Sequence, residues 1–248
     1  MNKNAFAIAK TNIKSLRTVC RMLAAACLML IATDAIVVIP PLTAGESLTG
    51  GSYEWSFGGL LYFLLPLAAI IIAARNLPRI LSLGGKRKGF FFGCLLTYAV
   101  LAGFAALANV FLYYTYDKLV AWLGHLGNAK VPNSFLGIGN IMEDLGWLRY
   151  GAVVAFLQQF AFLLMAAMAA HTITAVQGTW IGWAADGLLV ALLVVWMLKP
   201  VDMLEHIINL AHTFVFQSNA IKQILSCLAL SSVCAVLSRL TIDWREIS

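Results

Sequence analysis

The chain has 248 residues, of which 61% are hydrophobic and only 11% are charged, whereas a soluble globular domain carries roughly 25% charged residues. Its 17 Lys and Arg outnumber its 11 Asp and Glu, which gives a formal net charge of +6 at pH 7. This composition excludes an ordinary soluble domain and indicates an all-α polytopic membrane protein. The excess of positive charge is then explained by the orientation of the chain in the membrane and by attraction to anionic lipids. It is poorly explained by binding to nucleic acid.

The first 21 residues have the pattern of an amphipathic helix. At about 100° per residue, five cations fall within a sector of about 60° and an apolar stripe lies beside them. The cations are Lys3, Lys10, Lys14, Arg17 and Arg21, and the stripe is Phe6, Ala9, Ile13, Leu16 and Cys20. We therefore expect residues 1–21 to form an interfacial helix on an anionic leaflet. The alternative is a solvated basic flank that only sets the topology.

Six apolar runs are each long enough to cross a bilayer, which takes about 20 residues for about 30 Å of hydrocarbon. They are Met22–Pro40, Phe57–Ala74, Phe90–Tyr114, Leu148–Ala170, Gly178–Leu198 and Ile224–Leu240. Residues 1–248 are thus expected to form a single transmembrane domain. With the amino terminus inside, the inner segments carry twelve of the 17 Lys and Arg, and this bias predicts an N-in, C-in topology.

Three outer segments are longer than simple turns, and the first of them, Pro41–Ser56, is predicted to be a loop rich in Gly, Ser and Thr. Thr115–Trp147 is predicted to be a loop, because Gly124, Gly127 and Pro132 interrupt it. Residues 199–223 are too apolar for a free loop and too polar for a span. They predict a re-entrant outer segment before the last span, which would cap the helix bundle.

Catalytic and metal-binding motifs are missing from the sequence. A Walker phosphate loop would need Gly at Ile80 and Ser or Thr at Arg87, next to Gly85-Lys86. His206 and His212 are six residues apart, so on a helix they point about 120° apart, which disfavours a zinc site. The five cysteines lack CxxC spacing and indicate small packing residues. We expect no enzymatic activity, metal or cofactor in this chain.

Polar residues inside the predicted spans are candidates for function. A charge at mid-bilayer costs about 2.5 to 3.5 kcal/mol on insertion scales, which singles out Asp34 and Asp186 as substrate-path residues, or proton sites. The alternative for both is a helix contact. For Asn109, Gln158 and Gln159, interhelical hydrogen bonds are the favoured role.

Small and aromatic residues suggest packing and anchoring positions. Gly85, Gly89 and Gly93, and likewise Gly178 and Gly182, have the spacing that lets membrane helices approach closely. Isolated His171 indicates a hydrogen-bonded or interfacial imidazole. Five tryptophans are expected to be interfacial anchors: Trp55, Trp147, Trp180, Trp183 and Trp244.

The segment Arg75–Lys88 is a short basic loop between the second and third predicted spans. Its five cations place it on the cytoplasmic side. Its centre, PRILSL, is apolar enough to lie across the membrane surface or to press into a groove on a cytosolic partner.

The order of these parts resembles the small six-span permeases of the ABC-2 type, particularly the half-size permeases of Gram-positive bacteria. In this chain, the segment LSLGGKRKGFFFG (Leu81–Gly93) is similar to the "LG.SRK.FF.G" stretch of that family. Gly85-Lys86 departs from the pattern, because a hydroxyl residue is expected before the basic pair.

The resemblance implies the permease subunit of an ATP-driven exporter in the bacterial cytoplasmic membrane. Such a subunit pairs with a second permease copy or a paralogue and docks a cytosolic ABC ATPase, which holds the ATP and Mg²⁺. The docking residues would be Arg75, Leu77, Arg79, Ile80 and Leu81. Expected substrates are amphipathic or antimicrobial peptides, toxins, drugs or lipids.

Two other classes stay open at the level of sequence. A proton-coupled secondary transporter would use Asp34 or Asp186 and need no ATPase. A membrane scaffold or regulator would use the spans only as support. Co-purification with an ATPase separates both from the exporter.

The predicted topology can be tested by cysteine labelling. Cysteines placed at Gly50, Asn128 and Ser218 are expected to react from outside intact cells. Those placed at Gly84 and Ser248 are expected to react only after permeabilisation. Labelling of position 84 in intact cells would reverse the orientation.

Overall fold

The structure is a computed structural model, and it describes residues 3–15, 17, 21, 57–77, 79, 87–127, 142, 145–177, 182–184, 186–187, 190–191, 209, 213, 215–217 and 219–244. The helices are α1 (Lys3–Ser15), α2 (Phe57–Ile71), α3 (Arg87–Gly127), α4 (Ala152–Val176) and α5 (Ala220–Trp244). A π-helical turn, Ile72–Asn76, extends α2, and a 3₁₀ turn, Trp147–Tyr150, precedes α4. The described part of the chain is therefore helical, as the sequence predicts.

Within the described residues, three helices are long and apolar enough to cross a membrane: Arg87–Thr115, Ala152–Val176 and Ala220–Thr241. They correspond to the third, fourth and sixth predicted spans. The second coincides with a shorter apolar helix, Tyr62–Asn76. The first lies outside the described residues and the fifth lies mostly outside them, so six spans stay a prediction.

Large apolar side chains point outward along these helices. On α3, Val100, Phe104, Leu107 and Phe111 form one exposed stripe at helical spacing. Similar side chains are exposed on α4 and α5. Exposure of this kind is unfavourable in water and costs nothing against lipid tails, which agrees with a membrane protein.

Helix α3 is longer than the sequence predicts. It continues to Gly127, so the expectation of a loop beginning at Thr115 is wrong for residues 115–127. Gly124 does not interrupt it, because a single glycine costs a helix only about 1 kcal/mol and each further turn of an established helix adds its own hydrogen bonds.

Helices α3 and α4 run antiparallel. Tyr98 near the start of α3 contacts His171 near the end of α4, and Asn109 further along α3 contacts Gln159 near the start of α4. The end of α2, the start of α3 and the end of α4 thus lie together. We call this end of the bundle the basic end, because Arg75, Arg79 and Lys88 are exposed there, and we call the opposite end the far end.

Helices α4 and α5, in contrast, run parallel. Gln158 is hydrogen-bonded to Gln223, and Thr172 to the carbonyl of Cys234, in the same order along both helices. The end of α4 and the start of α5 therefore lie at opposite ends of the bundle. The predicted span Gly178–Leu198 falls between them in sequence.

An aromatic cluster packs at the far end. The Trp147 ring centroid lies 6.2 Å from that of Tyr62 and 5.7 Å from that of Phe162, which also packs on Phe216. Trp147 is only 1% exposed, so its expected role as an interfacial anchor is wrong. Gly146 and Gly151 flank its 3₁₀ turn with φ of 67° and 85°, and this turn directs the indole inward.

Replacement of Trp147 by Ala is expected to destabilise the bundle. Removing a buried tryptophan costs about 3 to 5 kcal/mol, and thermal unfolding in detergent measures the loss. Trp183→Ala is the matched control, because Trp183 is 77% exposed. Equal melting temperatures for the two variants would contradict the packing of Trp147.

Candidate functional site

The N-terminal helix α1 is seated on the start of α3 at the basic end. Ala9 and Asn12 are buried, and a Cβ added to Gly89 would lie 3.5 Å from Cδ1 of Ile8. A methyl group would fit at this distance as an ordinary contact, so a need for glycine at position 89 stays a prediction. Ile13 is 43% exposed, so the packed face of α1 is rotated from the predicted apolar stripe towards Ile8 and Asn12.

A buried asparagine joins three elements at this end. Nδ2 of Asn76, in the π turn, donates to Oδ1 of Asn12 at 2.9 Å. Nδ2 of Asn12 in turn lies 3.7 Å from Sγ of Cys94 on α3. We call this arrangement the asparagine bridge. It connects α1, the end of α2 and the start of α3 through groups that are all shielded from solvent.

Beneath the bridge, a tyrosine and a histidine join α3 to α4. The Tyr98 hydroxyl lies 2.8 Å from Nδ1 of His171 and 3.5 Å from the carbonyl oxygen of Ala69 on α2. The expected hydrogen-bonded role of His171 is confirmed. Its Nε2 is buried and has no hydrogen-bond partner among the described residues.

Towards the far end, amides link α4 to its neighbours on either side. Nδ2 of Asn109 on α3 donates to Oε1 of Gln159 at 2.9 Å. Nε2 of Gln158 donates to Oε1 of Gln223 on α5 at 2.6 Å. The predicted interhelical role of Asn109, Gln158 and Gln159 is confirmed. Amides at these distances hold helices together and provide no acid, base or nucleophile.

The α4-facing side of α5 is lined with small and polar residues, namely Gln223, Cys227, Ser231, Cys234 and Ser238. Such residues let two membrane helices pack closely. Cys94, Cys227 and Cys234 are free thiols that are buried or half-buried, which agrees with their expected packing role.

The predicted docking residues divide into three groups. Arg75 and Arg79 are exposed at the basic end. Leu77 is only 3% exposed and belongs to the hydrophobic core, so it anchors the segment to its own bundle and is not open to a partner. Ile80 and Leu81 lie outside the described residues.

The predicted substrate-path residues are not brought together. Asp34 lies outside the described residues. Asp186 is half-buried and accepts a hydrogen bond from Nε2 of Gln177 at 2.7 Å, next to the end of α4. Because Gln177 lies just after α4 and only nine residues before Asp186, the choice between a substrate-path residue and a contact with a neighbouring helix stays a prediction. Nearby, a Cβ on Gly182 would lie 2.5 Å from the carbonyl oxygen of Val176, so only glycine fits there.

The described residues contain no group of three or more His, Cys, Asp or Glu that could hold a metal ion. His206 and His212 lie outside them. Comparisons of the chain with protein-family models, with curated proteins and with solved structures gave no match.

Sequence reasoning missed the asparagine bridge. Asn12 lies on the same helical face as Ile8, within a segment dominated by its cations, and Asn76 follows Arg75 in a basic loop. A neutral amide at an otherwise apolar helical position, four residues after Ile8, is the signal that could have identified Asn12.

The bridge can be tested with a double-mutant cycle. Asn12→Ala or Asn76→Ala leaves a buried amide short of a partner, which costs about 1 to 3 kcal/mol, and the two changes should not add. Trypsin cleavage after Lys10 and Lys14 should accelerate as α1 detaches. Thr11→Ala is the control, because Thr11 is exposed and its Oγ1 bonds only to the Ala7 carbonyl of its own helix. Additive effects would rule out the bridge.

Proposed function

We propose that this chain is the membrane subunit of an ATP-driven exporter, and that the basic end docks a cytosolic ATPase. The observation that carries the proposal is the position of Arg75 and Arg79. Both are exposed where the chain leaves α2, immediately beside the asparagine bridge. A partner bound to them would lie next to the asparagine bridge, which joins α1, the end of α2 and the start of α3.

The bridge and Leu77 supply the coupling. A push on Arg75 and Arg79 acts on a turn whose neighbouring residues, Asn76 and Leu77, are fixed in the bundle. Force applied there would move the α2–α3 pair together with α1 as one body. The π turn is the expected point of bending, since such turns occur mostly as single-turn bulges within α-helices and are frequent at functional sites.

In this proposal the chain itself carries out no hydrolysis. ATP and Mg²⁺ would be bound by the partner subunit, and a second permease copy or a paralogue would complete the path. The substrate would be an amphipathic or antimicrobial peptide, a toxin, a drug or a lipid. The protein would lie in the bacterial cytoplasmic membrane, with the basic end on the cytoplasmic side.

One observation favours a second candidate, a proton-coupled secondary transporter. His171 is a fully buried imidazole whose Nε2 has no partner among the described residues, and intramembrane histidines occur in proton relays. Such a transporter would need no ATPase, so the two candidates give opposite results in the experiment below.

The double variant Arg75→Glu/Arg79→Glu tests the docking proposal, because it replaces two positive charges by two negative ones. Each exposed ion pair contributes about 0.2 to 1 kcal/mol, and reversal adds repulsion of similar size. Association with the ATPase should therefore weaken by about 0.8 to 4 kcal/mol in total, which is about fourfold to several hundredfold. Pull-down from native membranes, with mass spectrometry of the captured proteins, measures the loss of the ATPase.

The matched control is Lys118→Glu/Arg149→Glu, which reverses two exposed charges outside the basic end. It should keep the ATPase. If the parent protein captures no ATPase, or if the Arg75/Arg79 variant keeps it fully, the exporter proposal fails. Leu77→Asp is not a docking test, because it would bury a carboxylate in the core and unfold the bundle.

A further inference from the structure

The hydroxyl group of Tyr98 lies between two hydrogen-bond acceptors. Its oxygen is 2.8 Å from Nδ1 of His171 on α4 and 3.5 Å from the carbonyl oxygen of Ala69 on α2. A phenol has one hydrogen to donate, so Tyr98 can donate fully to only one of these groups at a time. The distances favour His171, because 3.5 Å exceeds the usual length of a hydrogen bond between two oxygens.

The choice of acceptor decides where the proton of a neutral His171 lies. One ring nitrogen of a neutral imidazole carries the proton and the other accepts a hydrogen bond, and the bond made by one nitrogen fixes the role of the other. If Tyr98 donates to Nδ1, the proton is on Nε2. If Tyr98 donates to Ala69 instead, a proton on Nδ1 can be donated to the phenol oxygen, and Nε2 is left as an acceptor.

The Nε2 atom of His171 is the group that this choice affects. The side chain is fully buried, and Nε2 has no hydrogen-bond partner among the described residues. The rings of Phe90 and Tyr98 pack beside the imidazole, with ring centroids 6.5 Å and 5.6 Å from its own. A buried polar atom without a partner is unfavourable, so Nε2 is a group that a bound molecule would pair with.

We propose that Tyr98 is a positioning residue for His171. It holds the imidazole as the neutral tautomer with the proton on Nε2, so that His171 presents a hydrogen-bond donor to a bound acceptor group. The proton uptake of the secondary-transporter candidate would then require Tyr98 to turn its hydrogen towards Ala69, because only this change leaves Nε2 free to accept a proton. The proposal does not depend on the docking of an ATPase.

The test is nuclear magnetic resonance of the full-length protein in detergent, labelled with ¹⁵N-histidine. The chain has four histidines, and the variant His171→Gln identifies the signals of His171 by their loss. In the parent, Nε2 should be protonated, and Nδ1 should be unprotonated and hydrogen-bonded. Tyr98→Phe keeps the ring and removes the donated hydrogen, so the Nδ1 resonance should shift to the position of a nitrogen without a hydrogen bond.

The matched control is Tyr62→Phe, which removes another buried hydroxyl group, one that accepts a hydrogen bond from Asn109. It should leave the signals of His171 unchanged. A proton on Nδ1 in the parent overturns the proposal, as does an unchanged Nδ1 resonance in Tyr98→Phe or an equal shift in Tyr62→Phe. The measurement on the parent needs no variant, so it decides the tautomer even if Tyr98→Phe folds poorly. Because no ATPase takes part, the result is separate from that of the docking experiment.

Discussion

Lipid tails are as apolar as leucine, so the hydrophobic effect cannot draw membrane helices together. The described bundle depends instead on close packing and on buried hydrogen bonds, and α4 makes such bonds to both α3 and α5. Its Gln158 faces α5, while its Gln159 and His171 face α3. Because these bonds form in surroundings free of water, a misplaced amide would lose its partner and find no substitute. Three polar positions on one helix therefore specify which neighbours it takes and in which register.

A buried hydrogen bond also helps to position α1. Its buried side chain Asn12 reaches both the π turn and α3, so a polar contact adds to the packing of this helix while Lys10 and Lys14 stay exposed. A partner that binds the exposed Arg75 would therefore act on α1 through the neighbouring Asn76 and the asparagine bridge.

The sequence predicts two kinds of feature in this fold: helices, which follow from runs of hydrophobic residues, and contacts of polar side chains, which are costly to leave unpaired inside a membrane. The apolar runs indicate the helices, and an amide in mid-span has no alternative to a neighbouring helix, which is why Asn109, Gln158 and Gln159 could be assigned correctly. Trp147 could not, because its direction depends on the backbone at Gly146 and Gly151. Leu77 was expected to be open to a partner because it lies in a basic loop, yet the helical path of α2 continues through the π turn and carries it into the core. The residues next to Trp147 and Leu77 in the sequence therefore do not reveal that these two side chains are buried.

The parallel arrangement of α4 and α5 has a consequence for biogenesis. The two helices are neighbours in space, but residues 177–219 separate them in the chain, so α4 must enter the bilayer well before α5 is synthesised. Until then Gln158 has no Gln223 to bond, and the side of α4 that later receives α5 faces lipid or the insertion machinery. Because α5 packs mainly on α4, a nascent chain that stalls before Ala220 would expose an unsatisfied amide within the membrane. Quality-control proteases could recognise such a chain while α2, α3 and α4 are already assembled.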